Sequence, residues 1–61
     1  MIFKKYEHKE LTPFEPYLFQ IIDTTGDTYY TVGHVDSYGG IILDKYQHMA
    51  EMVTGYAEIE E

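Results

Sequence analysis

VDSYGGIILDKYQHMAEM, residues 35–52, is the stretch on which the fold turns. Its opening VDSYGG interrupts the preceding pattern with two glycines, and IILDKYQHMAEM then changes period. Wound at helical spacing, Ile42, Leu43, Tyr46, Met49, Ala50 and, just beyond, Val53 gather within an arc of about 120°. The spacing predicts a helix from about Tyr38 or Ile41 to Glu51. Asp36 or Ser37 would cap its start by accepting a backbone N–H, with Gly39 and Gly40 as a flexible entry of poor helix formers.

Upstream, YLFQIID (17–23) and TYYTVGHV (28–35) are rich in aromatic and β-branched residues and flank DTTGDT. Gly26 takes positive φ without a steric penalty and Asp23 can bond its own turn, so the two runs predict an antiparallel hairpin. Downstream, MVTGYAEIEE alternates as a strand. Its expected inward face carries Val53, Gly55, Ala57 and Ile59, small enough at Gly55 and Ala57 for a helix to pack close, and Tyr56 and Glu58 face outward. At the N-terminus IFKKYEHKEL offers an optional strand, and TPFEP is a loop in which Pro16 stops any helix. The expected architecture is α+β: an antiparallel sheet of three, possibly four, strands with one packed helix, in the order strand, strand, helix, strand. Residues 1–61 form a single domain, 1–16 as N-terminal strand or arm and 17–61 as hairpin, helix and C-terminal strand.

The chain has 61 residues, a length that buries only about 60% of its unfolded surface and is marginally stable alone. It has no cysteine, so neither disulfides nor cysteine-ligated zinc can add stability, and self-association is the remaining route. Hydrophobic residues make up 44% of the chain, too many for a disordered acidic tail. Four Lys+Arg against eleven Asp+Glu give a net charge of −7, which disfavours direct contact with nucleic acid or anionic lipid. No segment approaches the roughly 18 to 20 apolar residues of a membrane span, and MIFKKYEHKE lacks the apolar run of a signal peptide. A cytoplasmic location is expected.

The histidines, His8, His34 and His48, fall on different predicted elements without metal-ligand spacing, and surface positions account for them. Ser37 reads as a cap or turn residue outside any nucleophile signature, and Gly39–Gly40 lacks the spacing and the lysine of a phosphate loop. No cofactor and no enzymatic activity are expected. The seven tyrosines are more informative, because tyrosine brings rigid contact area with a polar tip and suits interfaces. The apolar arc of the predicted helix is wider than one sheet requires. Ile42, Met49 and Val53 would face the sheet, and Leu43, Tyr46 and Ala50 a second copy, leaving a groove edged by Asp44 and Glu51.

Two local patterns, Asp23-x-x-Gly26-x-x-Tyr29-Tyr30 and Tyr46-x-x-x-Ala50-Glu51 running into Val53, resemble the small dimeric uracil-DNA glycosylase inhibitors of Bacillus phages. The resemblance spans roughly residues 17–61. It implies a homodimer whose apolar pocket between helices, lined by Tyr46, captures the side chain that a glycosylase inserts into DNA, with acids standing in for phosphates. The family's acid after its paired tyrosines falls on Thr31, and its helix acid on Leu43, with Asp44 one residue on as a replacement. The implied site is Tyr46, Leu43, Ile42, Asp44, Ala50, Glu51 and Tyr30, and the implied partner is a host uracil-DNA glycosylase in the host cytoplasm. The physical logic is complementary, since such an enzyme carries a cationic DNA-binding surface and flips its base. The alternative is an acidic phage regulatory module that binds another host DNA-processing protein or RNA polymerase.

Overall fold

A computed structural model describes residues 2–59. Its strands are β1 (Lys4–Lys5), β2 (Tyr17–Ile22), β3 (Thr28–Val35), β4 (Ile41–Leu43) and β5 (Val53–Glu58), with short 3-10 segments at His8–Glu10 and Gln47–Met52. All pairings are antiparallel, in one sheet of order β1-β5-β2-β3-β4. The expected hairpin forms as β2 and β3, and the tail forms β5, but the helix does not exist. The α+β arrangement with a packed helix is therefore corrected to a five-stranded antiparallel sheet with no α-helix among the described residues.

The reason lies in a turn used twice. At 23–27, the Asp23 amide donates to the Asp27 carbonyl, the Gly26 amide donates to the Asp23 carbonyl, and Asp23 Oδ1 accepts from the amides of Thr25 (2.9 Å) and Asp27 (3.0 Å). At 36–40, Asp36 makes the same bonds to Gly40 and Gly39, and its Oδ1 accepts from Tyr38 (2.9 Å) and Gly40 (2.8 Å). Gly26 and Gly39 occupy equivalent places at φ 89° and 84°, where a side chain would be strained. Asp36 thus closes a second hairpin instead of capping a helix, and the β-branched pair Ile41–Ile42 leaves the turn as a strand. An isolated helix shorter than about 12–15 residues is marginal in water, whereas β4 gains ladder bonds and buries Leu43. The chain beyond β4 is not α-helical either: Tyr46 has φ 63°, and Met49 has non-helical angles inside the 3-10 segment.

One face of the sheet holds the core. Phe19 and Ile21 are fully buried, and Tyr17, Val35, Leu43, Tyr56 and Leu11 close around them. Phe19 packs against the rings of Tyr6 and Tyr17 (centroids 6.2 and 6.3 Å), and Tyr17 meets Tyr56 edge-on at 5.6 Å. This face is covered by the N-terminal segment, fixed by the Thr12 amide donating to the Tyr17 hydroxyl (2.9 Å) and by the Tyr56 hydroxyl donating to Glu10 (3.3 Å). Met49, Ala50 and Met52 cover the rest of it.

The phase of β5 also differs from expectation. Its register on β2 shifts between Gln20 and Ile21, with Gln20 opposite Gly55 and Ile21 opposite Val53. Thr54, skipped in the register with β2 while its carbonyl accepts the Tyr6 amide at 3.1 Å, is a bulge, which carries Val53 and Tyr56 to the core face while Gly55 and Ala57 turn to the other. Tyr56, expected outside, is a core residue.

Gly33 sets how closely β3 and β4 approach: a Cβ there would lie 2.5 Å from the Ile42 carbonyl oxygen and 3.0 Å from Leu43 Cδ2. Gly33→Ala is therefore expected to cost about 1–3 kcal/mol by overpacking, and exposed Ser37→Ala to stay within about 0.5 kcal/mol. Urea unfolding of the two variants measures both.

Candidate functional site: the open face of the sheet

On a half-exposed antiparallel sheet the solvent side is ordinarily polar. Here it is not. The register aligns Lys5, Gly55, Gln20 and Tyr30 across the open face, then Ala57, Leu18 and Val32, and then His34 and Ile42. Tyr30, Ile42 and Val32 remain 51%, 45% and 39% exposed. Phe3 leans its ring on Tyr30 at 5.4 Å. At the far end Phe14, 67% exposed and at φ 67°, lies 5.9 Å from the His34 ring and donates its amide to the Val35 carbonyl at 2.8 Å. A non-glycine residue at positive φ costs of the order of 1 kcal/mol or more, and this one holds an aromatic ring in solvent.

Charge is segregated around this face. Among the described residues, no strand residue pointing to it is a carboxylate. Acids stand at its ends: Asp23 and Asp27 at the β2–β3 turn, Asp36 at the β3–β4 turn, Glu15 beside Phe14, and Asp44, whose amide donates to the Val32 carbonyl at 2.9 Å. Asp44 and Lys45 flank a shallow depression of about 290 Å³ floored by Leu18, Tyr30, Thr31 and Val32. An apolar centre with a polar, charged rim is the anatomy of a protein interface.

The residues expected to form one groove are divided between the two sides of the sheet. Tyr30 and Ile42 lie on the open face, with Asp44 at its rim. Leu43 is a core residue opposite Gly33. Tyr46 packs on Tyr29 at 5.1 Å from its turn position, Ala50 is half-buried against the core, and Glu51 is exposed beside it at a surface cavity shared with Tyr6, Ile41 and Val53. The separation of Ile42 from Leu43 is the period of a strand, which sends neighbours to opposite faces of the sheet, where a helix would have placed both at the edges of one apolar arc. Thr31, where the resembled family has an acid, is buried, and its Oγ1 accepts the Lys45 amide at 3.2 Å.

Phe3, Phe14, Leu18 and Val32 were not expected as site residues. A signal for two of them exists in the hairpin, whose alternate positions are apolar on both faces (Leu18 and Ile22, Tyr30 and Val32), a pattern that belongs to strands covered on both sides. Among the described residues, no cluster of three or more His, Asp or Glu is placed to hold a metal, and no helix is long and apolar enough to cross a membrane. No known protein family, curated protein or solved structure matches this chain.

The rim also titrates. The Asp23 carboxyl is held below its ordinary value of 3.8, chiefly by the hydrogen bond from the Thr25 hydroxyl, with the Asp27 and Thr25 amides adding and desolvation opposing. The neighbouring Asp23 charge is the main cause that raises Tyr29 above 10.0, and burial is the main cause for Tyr6 and Tyr56. A depressed carboxyl stabilises the fold above its unfolded pKa and loses that contribution as pH falls through the folded value. The raised tyrosines stabilise below pH 10 and lose their contribution as pH rises through theirs. Stability should therefore fall on both flanks, below about pH 4 and above about pH 10. In Asp23→Asn, which keeps an acceptor and removes the titration, the acid limb should be shallower by chemical denaturation at each pH.

Proposed function

We propose that this chain is a non-catalytic binding module that docks the open face of its sheet onto a basic, DNA-binding protein. The observation that carries the reading is the apolar face free of carboxylates within a chain of net charge −7. Exposed Tyr30, Val32, Ile42 and Phe14 supply the buried anchors that dominate interface energies. The acids at its ends complement a cationic surface, which raises the encounter rate and selects the partner. The molecule's longer extents, 30 and 25 Å, bound a face of the order of the ~800 Å² that one partner contributes to a standard interface.

A host uracil-DNA glycosylase is the first partner to test, supported by the Asp23-x-x-Gly26-x-x-Tyr29-Tyr30 and Tyr46-x-x-x-Ala50-Glu51 patterns together with the charge. Capture by a groove between helices is no part of this mechanism, because the described residues form no α-helix. A second copy is the other occupant that suits the face, since two acid-free faces meet without like-charge repulsion at their centre.

Titrated into a uracil-excision assay, the protein is expected to abolish activity at a stoichiometric ratio, and Val32→Asp to lose the effect with its unfolding curve unchanged. Undiminished excision at excess protein removes the glycosylase as partner. Retention of another DNA-processing protein or of RNA polymerase from host lysate, lost with Val32→Asp, then identifies the partner. Retention of neither, with a dimer in sedimentation that Val32→Asp dissociates, assigns the face to a second copy.

Salt separates anchoring from attraction. Exposed charges are screened over about 10 Å at 0.1 M, so raising salt should slow association and leave dissociation nearly unchanged if the apolar face holds the partner. Dissociation that accelerates steeply with salt would assign the affinity to the carboxylates.

A further inference from the structure

The free edge of β4 is occupied by a side chain that copies a strand. In β4, Ile42 pairs with His34 of β3, so the backbone groups of Ile41 and Leu43 point away from the sheet. The Gln47 amide meets them: Oε1 accepts the Leu43 N–H at 2.6 Å, and Nε2 donates to the Ile41 carbonyl at 3.0 Å. One primary amide thus supplies the acceptor and the donor that a residue of a sixth strand would supply. The left-handed Tyr46 turns the chain so that Gln47 reaches back, and Tyr46 is itself braced on Tyr29.

We infer that Gln47 is an edge guard, which keeps β4 from pairing with β4 of a second copy. Unpaired edge groups template strand addition, and Ile41-Ile42-Leu43 is an apolar segment with no charge or proline of its own to prevent it. Antiparallel pairing about Ile42 would place Ile41 of each copy opposite Leu43 of the other. Each copy would then satisfy the two groups that Gln47 now satisfies, and two sheets would become one continuous sheet. The guard acts at the edge, so it is independent of the proposed use of the open face, which Val32→Asp addresses separately.

Hydrogen exchange of the Leu43 amide in Gln47→Ala tests the inference, with Phe19 and Ile21 amides reporting that the central strand remains folded. In the wild type, Leu43 protection should not change with protein concentration. In Gln47→Ala it should be several-fold lower in dilute solution and recover as concentration rises, in step with a growing sedimentation coefficient. Adding Val32→Asp should leave that recovery intact. Leu43 protection equal to wild type in dilute Gln47→Ala would overturn the guard, and low protection without concentration-dependent recovery would overturn the pairing it prevents. If the central amides also lose protection, Gln47→Met replaces the alanine variant, because it keeps the side chain's length and neither accepts from Leu43 nor donates to Ile41. Low Leu43 protection in dilute solution that recovers with concentration supports the guard, and protection equal to wild type overturns it.

Discussion

Everything in this sheet depends on the burial of Phe19. It sits on β2, the strand that bonds to β3 on one side and β5 on the other, and its ring touches Tyr6 and Tyr17 while its cross-strand neighbour on β5 is Tyr56. One side chain therefore joins the hairpin, the C-terminal strand and the N-terminal segment, which are remote in sequence. A small domain has little surface to bury, so a fully enclosed aromatic ring at this junction carries a large share of the driving force. The aromatic rings take the place of the helix that the apolar spacing suggested as a second layer.

The remaining architecture rests on economical polar devices at the ends and edges of the strands. The Asp-x-x-Gly turn at 23–26 and again at 36–39 organises three successive strands as a meander, each Asp satisfying two backbone amides that would otherwise need water. Gln47 satisfies the backbone of the outer edge, and Thr31 receives the amide of Lys45 as the chain leaves β4. No buried side-chain nitrogen or oxygen lacks a hydrogen-bond partner among the described residues, as a sheet with so thin a cover requires.

The tyrosines show how one residue type serves both layers. Tyr17 and Tyr56 are enclosed and use their hydroxyls to tie down the N-terminal segment, whereas Tyr30 spreads its ring over the open face and Tyr29 packs on Tyr46 near the acidic turn. Acids and apolar surface are thereby kept apart, the acids at strand ends and on the loops, the apolar side chains in the middle of the open face. The proposed docking to a cationic partner rests on that separation, with acids at the rim and an apolar centre.

Local chemistry was legible in the sequence: the hairpin 17–35, the last strand and the excess of acid each rest on neighbouring residues, and each was readable without the fold. The local signal of the second turn is present too, since DSYGG repeats the Asp-x-x-Gly spacing of DTTGD, although Asp36 was expected as a helix cap. It was masked by apolar residues downstream whose positions satisfy a helical arc and a strand ending in a turn equally well. Only the tertiary structure decided between them, because β4 is stable only with β3 beside it and the core beneath Leu43, and neither is visible in a window of twelve residues. The same holds for the faces. A single bulge at Thr54 changes which residues of β5 face the core, and the strand period sends Ile42 to the open face and Leu43 to the core. Composition and spacing thus determined which residues were available for contact, and the pairing register, a long-range property of the folded chain, determined which of them stand together.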